Sequence, residues 1–305
     1  MRKTSLLEDQ YQTFYQKHHR IQVMGVDVVY LDTGTCQPWQ EDDARRPIVI
    51  ALHGFATCGY MYRHWIQKLS QSARIMVPDI PPYGESGKVL SWKPSYPNYA
   101  QWLDAFIDLV VPANRQFYFV AQDWSVPLAV SWAARHPQRL KGLLLFSPFL
   151  HPERSFLLPG FFASSVPFLG SFALETLFNR PDIIERIFDI CTKRNLDATA
   201  QHIYMMPFNS KEGRKTIAHH ASLLIRHPMF WIKLWRRLGH LDMPVSLIFG
   251  AERDFMLPKD VPKLAKQFHN VSYRSLPGVG FLPVEEAADA CISEMLSMIA
   301  LEKIG

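Results

Sequence analysis

Asp123 has the surroundings of a nucleophile on a sharp turn between a strand and a helix. The run Ala121-Gln122-Asp123-Trp124-Ser125 follows a predicted strand over 116–120 and precedes a helical pattern over 126–136. Such a turn needs small residues two positions before and two positions after its central residue, because strand and helix nearly collide there. A carboxylate held in this way can attack a carbon electrophile and form an ester on the protein. The alternative is that Asp123 only caps the helix.

Three other segments with polar or glycine residues also follow predicted strands. His53-Gly54-Phe55-Ala56 comes after the apolar run 48–52, and its glycine permits a tight turn that points the next N–H into a cavity. Gly250-Ala251-Glu252-Arg253-Asp254 comes after the run 245–249, where an acidic residue can orient a catalytic histidine. The loop 277–283 follows the run 271–276. The carboxyl ends of parallel strands share one sheet edge, so we expect these segments to meet.

The elements that must position these segments alternate between short apolar runs and helical patterns, which predicts βαβ units and a mostly parallel sheet. The alternation stops between about residues 150 and 240, where the chain is helical and punctuated by prolines. The sequence therefore predicts an α/β fold, with a core formed by residues 1–149 and 241–305 and an inserted helical cap formed by residues 150–240. Such a cap roofs the carboxyl ends of the strands, where open α/β sheets bind ligands.

The four segments, with Asp79 and Gly84-Glu85-Ser86-Gly87, resemble the α/β-hydrolase family from about residue 20 onward. The Gln122-Asp123-Trp124 sequence resembles haloalkane dehalogenases most and epoxide hydrolases next. This resemblance implies that Asp123 is the nucleophile, that the Trp124 indole N–H stabilises the departing halide, and that Asp254 is the acid that orients the base. It also implies that the backbone N–H groups of Phe55 and Trp124 hold the oxyanion. The expected pocket is apolar and is lined by Phe161, Phe162, Phe168, Leu174 and Tyr204.

The chain departs from the resembled families at functional positions. Where the family has Gly-x-Gly-His, this chain has Gly278-Val279-Gly280-Phe281, so phenylalanine takes the place of the catalytic base. Phe55 stands where many dehalogenases have an asparagine that binds halide. The remaining cap donors for a halide are Trp231 and Trp235, and the segment 151–240 contains only one tyrosine, Tyr204, for epoxide activation.

The loss of the base predicts a reaction that stops half-way. An ionised carboxylate needs no base to attack, whereas the water that hydrolyses the resulting ester does. Removing a general base typically costs a factor of about 10²–10⁴. Three explanations stay open for Phe281: an engineered change that traps the ester, a natural protein that only binds a ligand, or another base. The histidines in or near the cap (His219, His220, His227 and His240) are expected to be solvated.

Composition narrows the possible partners. The 305 residues are 48% hydrophobic, and their net charge of +5 comes from 33 basic and 28 acidic residues that are interspersed, which argues against a nucleic-acid partner. Four separated cysteines without metal-ligand spacing indicate reduced thiols in a cytoplasmic protein. The first 22 residues show no secretory signal, and no apolar run reaches the length of a membrane span. No metal or organic cofactor is implied, and the expected partner is a small apolar organic substrate or ligand.

Overall fold

The structure of the chain is a computed structural model. It describes residues 2–34, 46–89, 91–150, 176, 179–194, 196–224, 228–252 and 260–302.

An eight-stranded sheet with the order β1-β2-β4-β3-β5-β6-β7-β8 forms the centre of the molecule. Its strands are β1 (His18–Val23), β2 (Val26–Asp32), β3 (Ile48–Leu52), β4 (Arg74–Pro78), β5 (Phe117–Gln122), β6 (Leu140–Phe146), β7 (Val245–Gly250) and β8 (Val271–Leu276). The hairpin β1–β2 and the pair β2–β4 are antiparallel. All pairs from β4 to β8 are parallel, so the predicted mostly parallel sheet is confirmed.

Apolar runs become the inner strands because both faces of the sheet are covered. All residues of β3, β4, β5 and β7 are buried. The pairing of β3 with β5 sets Leu52 opposite Ala121, so the two chains leave the sheet side by side. A methyl group added at Gly54 would lie 3.7 Å from the Cβ of Asp123 and 3.5 Å from the Cγ of Gln122. The sheet therefore brings the Gly54 turn against the Asp123 turn.

Helices cover both faces of this sheet and also fill the interval between β6 and β7. They are α1 (Arg2–Tyr15), α2 (Arg63–Leu69), α3 (Tyr96–Val110), α4 (Val126–Ala133), α5 (Pro181–Cys191), α6 (Ala198–Met205), α7 (Lys211–Leu224), α8 (Pro228–Leu238), α9 (Val261–Ala265), α10 (Pro283–Glu286) and α11 (Ala288–Glu302). Helices α5 to α8 lie between β6 and β7, and the part of this interval that the structure describes contains no strand, in agreement with an inserted helical cap.

The final helical segment differs from its prediction. The sequence pattern predicts one helix over 284–299, but the chain forms α10 and α11 with a break at Ala287, where φ is −142° and ψ is 45°. Glu286, just before the break, turns its carboxylate towards the N–H groups of Gly280 and of two residues near the end of α5. The break therefore lets this carboxylate fix the loop after β8 to the cap.

Across the described ranges, no helix combines the length and the apolar character that crossing a bilayer requires.

Candidate active site

The backbone at Asp123 is held in a conformation that non-glycine residues rarely adopt. Its φ is 57°, in the left-handed region, and the residue begins a 3-10 turn, Asp123–Ser125, that leads into α4. The Ser125 Oγ lies 3.1 Å from the Leu52 carbonyl oxygen and 2.9 Å from that of Gln122, and it accepts the Gln122 N–H at 3.2 Å. A non-glycine residue in the left-handed region costs about 1–3 kcal/mol of conformational free energy. The Ser125 bonds hold the turn in place against this cost. Strain of this kind occurs at functional sites.

The carboxylate of Asp123 is buried against the turn after β3. Only 9% of Asp123 is exposed, and its Oδ2 accepts the backbone N–H of Phe55 at 3.1 Å. Ala56, the next residue, has a φ of 58°, so this turn is also in the left-handed region. The structure thus brings the predicted nucleophile and one predicted oxyanion donor within hydrogen-bond distance.

His53, in the same turn, has a structural role. Its Nε2 accepts the Ile80 N–H at 2.9 Å, and its Nδ1 lies 2.9 Å from the Gly54 carbonyl oxygen, to which it donates. Burial lowers the pKa of His53 to about 4. With both ring nitrogens engaged, His53 orients the turn and is not placed to take a proton from water.

The indole of Trp124 lies in an aromatic cluster beside the turn. Trp124 is 2% exposed, and its ring contacts those of Tyr83, Tyr99 and His220, with centroids 6.0, 5.3 and 4.9 Å away. No acceptor for the indole N–H is present within the residues that the structure describes. The indole N–H groups of Trp65, Trp92, Trp102, Trp132 and Trp231 also lack an acceptor there. What distinguishes Trp124 is its position directly after Asp123, where an unpaired donor can serve a ligand.

The expectation that His220 is solvated is wrong. His220 lies on α7 and is 1% exposed, whereas the adjacent His219 is exposed. Its Nδ1 lies 2.8 Å from the Tyr83 hydroxyl, and its ring is stacked with that of Phe55 at a centroid distance of 6.1 Å and an interplanar angle of 10°. Burial lowers the pKa of His220 to about 3. The cap thus brings a neutral imidazole onto the candidate site.

The main chain of Phe281 is hydrogen-bonded to the turn that carries Asp123. Its carbonyl oxygen accepts the side-chain amide N–H of Gln122 at 3.0 Å, and its N–H donates to the Cys191 carbonyl oxygen at 2.7 Å. The ring is 6% exposed and packs in a small apolar cluster with Cys191 and Leu282. At the position where the resembled family has its catalytic base, this chain has a buried phenylalanine side chain that cannot accept a proton.

The hydroxyl of Tyr204 is engaged by an ion pair. Its hydroxyl donates to Glu285, which also forms a two-bond ion pair with Arg63 at 2.8 and 2.9 Å. Tyr204 lines a cavity of about 300 Å³, together with Tyr11, Cys58 and Ala56, the residue after Phe55. The predicted orienting acid, Asp254, and the predicted pocket residues Phe161, Phe162, Phe168 and Leu174 lie outside the described residues.

The two cap tryptophans considered as halide donors differ in their surroundings. The indole N–H of Trp235 donates to the Leu150 carbonyl oxygen at 2.7 Å and is therefore occupied. Trp231 contacts the rings of Tyr96 and Phe149 at centroid distances of 5.0 and 5.8 Å. Its indole N–H has no acceptor in the ranges covered by the structure. Neither tryptophan forms a ring contact with Trp124 there, whereas His220 does.

Sequence reasoning missed Tyr83 as well as the position of His220. Tyr83 follows Asp79 on the segment after β4, which is also the carboxyl end of a parallel strand, and this was the available signal. Its ring is 1% exposed and contacts Phe55, Trp124 and His220. No group of three or more histidine, cysteine or acidic side chains suited to a metal ion occurs in the described ranges.

Fold and site together define the class of protein. The chain belongs to the α/β hydrolase fold family, whose model matches residues 47–288. Within that family it resembles haloalkane dehalogenases. A haloalkane dehalogenase of Mesorhizobium japonicum is 28% identical over 211 residues, which cover 66% of this chain and 62% of the relative, so the match spans less than two thirds of that relative. A haloalkane dehalogenase of Mycolicibacterium paratuberculosis is 25% identical over 236 residues, covering 73% of this chain and 75% of the relative.

Solved structures of proteins that differ in activity from one another share this fold. The haloalkane dehalogenase of Bradyrhizobium elkani superimposes with a TM-score of 0.79 at 24% identity, covering 94% of this chain and 99% of that one. A membrane phospholipase A superimposes with a TM-score of 0.73 at 17% identity, covering 97% of this chain and 91% of that one. At these identities the likeness establishes the fold alone, and the reaction has to be argued from the site.

Proposed function

We propose that this protein is a haloalkane dehalogenase-like hydrolase in which Asp123 attacks a haloalkane carbon and forms an ester that is hydrolysed slowly. The observation that carries this proposal is the geometry at Asp123. A buried carboxylate stands at a φ of 57° on a strand-to-helix turn, beside an indole N–H that lacks an acceptor in the described residues. If Asp123 only capped the following helix, it would need neither the left-handed backbone nor the unpaired indole N–H next to it.

The first step needs only groups that the site contains. A carboxylate oxygen of Asp123 attacks the carbon, the carbon–halogen bond breaks, and the halide leaves with the bonding electron pair. No proton moves, so no base is required. The halide gains a hydrogen bond from the Trp124 indole N–H, which stabilises charge that develops in the transition state.

The second step has no evident base among the residues that the structure describes. Water must lose a proton as it attacks the ester, with the oxyanion held by the backbone N–H of Phe55 and, in our proposal, that of Trp124. Phe281 cannot accept this proton, and the Nε2 of His53 already accepts the Ile80 N–H. We therefore propose that the ester accumulates. Asp254 is the acid that would orient a histidine at position 281.

The observations favour a halide over an epoxide as the group that leaves. An opening epoxide needs an acidic O–H donor on its oxygen, and the cap tyrosine Tyr204 instead donates its hydroxyl to Glu285. The donor beside Asp123 is an indole N–H, which suits a halide ion. Substrates are proposed to be small and apolar, because aromatic side chains surround this donor.

Intact-mass spectrometry after incubation with short bromoalkanes tests the proposal. The protein should gain one alkyl group that persists for hours, and peptide mapping should place it on Asp123. Asp123→Asn is the matched control, since an amide of the same shape is not nucleophilic, and it should gain no mass. If several bromoalkanes leave the wild-type protein unmodified while they bind to it, the chain is a ligand-binding protein on this fold.

A further inference from the structure

Two buried ring nitrogens in the aromatic cluster that adjoins the Asp123 turn lack partners in the described part of the chain. They are Nε1 of Trp124 and Nε2 of His220, on residues that are 2% and 1% exposed. The two rings are in edge-to-face contact, with centroids 4.9 Å apart and an interplanar angle of 85°. Most buried polar groups are hydrogen-bonded, and an unpaired group costs about 1–3 kcal/mol. Trp124 and His220 are the pair of such residues whose rings contact each other next to the candidate nucleophile, so one small polar ligand could satisfy both groups.

The hydrogen bond between His220 and Tyr83 decides which His220 nitrogen carries the proton. The Tyr83 hydroxyl lies 2.8 Å from Nδ1 and is buried. If this hydroxyl donates to Nδ1, its proton is satisfied and the neutral imidazole carries its hydrogen on Nε2. If Nδ1 donated instead, the hydroxyl proton would lack an acceptor in the described ranges. The lower-energy arrangement therefore makes Nε2 a donor, like the Trp124 indole.

His220 also lies where the sequence leaves a donor missing. Phe55 occupies the position at which many haloalkane dehalogenases have a halide-binding asparagine. The His220 ring is stacked on Phe55 with an interplanar angle of 10° and contacts Trp124 on another side. An imidazole N–H from the cap can thus replace the amide that Phe55 cannot provide.

We propose that the Trp124 indole N–H and the His220 Nε2–H are the two donors that bind the leaving halide. This inference rests on the proposed function, because the halide is the product released when Asp123 is alkylated. As the carbon–halogen bond breaks, the halide keeps the electron pair and accepts both hydrogen bonds. Both donors are neutral near pH 7, since burial lowers the pKa of His220 to about 3. Hydrogen bonds from neutral donors are weaker than those from charged ones, so the halide can also leave.

Bromide binding to the unreacted protein tests this pair without any chemistry at Asp123. Crystals soaked in sodium bromide should show one anomalous peak within hydrogen-bond distance of both nitrogens. Quenching of tryptophan fluorescence by bromide at constant ionic strength gives the Kd. His220→Phe keeps an aromatic ring against Phe55 but removes the N–H, so its Kd for bromide should rise about tenfold.

Two further variants make the test specific. Trp231→Phe removes another buried indole N–H without a partner in the described residues, and it should leave the Kd for bromide unchanged. His220→Gln restores an N–H donor and should recover part of the affinity if His220→Phe is poorly folded. Unchanged bromide affinity in folded His220→Phe, or a loss in Trp231→Phe instead, overturns the proposal.

The outcomes separate this inference from the proposed function. Bromide bound by both nitrogens in a protein that no bromoalkane alkylates leaves the donor pair intact and rejects the dehalogenase-like reaction. Alkylation of Asp123 at the wild-type rate in His220→Phe, with bromide bound as before, supports the reaction and rejects the donor pair.

Discussion

Gln122 donates its side-chain amide N–H to the Phe281 carbonyl oxygen at 3.0 Å, which ties the turn bearing Asp123 to the loop after β8. The same loop is held from its other side, because the Gly280 N–H donates to Glu286 at 3.0 Å. All these bonds use main-chain atoms of the loop. These bonds therefore stay available whichever side chain residue 281 carries.

Phe281→His should put an imidazole at the position of the family's base, where Asp254 is proposed to orient it, and restore turnover. An imidazole there can accept the proton of the attacking water, and a general base typically accelerates such a step about 10²–10⁴-fold. The measurement is bromide release from a bromoalkane over many turnovers. Phe281→Gln, which fills similar space without a base of suitable pKa, is the control. If folded Phe281→His is alkylated but releases only one equivalent of bromide, Asp254 does not orient the new histidine.

Trp124→Phe should slow the alkylation of Asp123 without abolishing it. The departing halide would lose one N–H donor, which corresponds to about 1–3 kcal/mol of barrier. The rate of adduct formation with matched bromo- and chloroalkanes measures this loss, and chloride, the poorer leaving group, should suffer more. An unchanged rate in a folded variant would mean that the indole N–H does not touch the leaving group.

The left-handed backbone at Asp123 predicts an inverted order of stability between two small replacements. At ordinary helical or extended positions alanine is more stabilising than glycine, by about 0.5–1 kcal/mol. At a φ of 57° the Cβ of any other residue is crowded against the backbone, and glycine, which has no Cβ, avoids this clash. Asp123→Gly should therefore be about 1–2 kcal/mol more stable than Asp123→Ala in urea unfolding. Both variants lack the carboxylate, so their comparison isolates the backbone, and the opposite order would show that the turn relaxes.

The buried imidazole of His220 should make the fold sensitive to acid. Burial lowers its pKa in the folded state to about 3, below the ordinary value of 6.5, so between these values the unfolded chain binds more protons. The stability that this group contributes is complete above about pH 6.5 and falls as the pH drops through that window. Between about pH 7.5 and about pH 5 the loss is about 2 kcal/mol for His220.

His220→Gln should remove that part of the pH dependence of the free energy of unfolding, measured with urea. The matched control is His219→Gln, because His219 is the exposed neighbour on the same helix and its replacement should keep the wild-type pH profile. His53, which is also buried with a lowered pKa, contributes a dependence common to all three proteins. Equal profiles for the two variants would contradict the burial of His220.

The sequence alone was enough to predict most of the core. The inner strands are largely apolar runs, and four strands, Ile48–Leu52, Arg74–Pro78, Leu140–Phe146 and the edge strand Val271–Leu276, match their predicted bounds. The turn at Asp123 was visible because small residues must flank it. These features are local, since burial on both faces and the tightness of a turn leave their mark on neighbouring residues.

The surroundings of the site were decided by the tertiary structure. His219 and His220 are adjacent on one helix, and nothing in a single sequence says which of two neighbouring faces will meet the core when the helix docks. Docking buried His220 against Phe55, Trp124 and Tyr83, which come from three distant parts of the chain. Contacts between residues so far apart depend on how the cap packs on the sheet, and packing of this kind leaves no periodic pattern in the sequence.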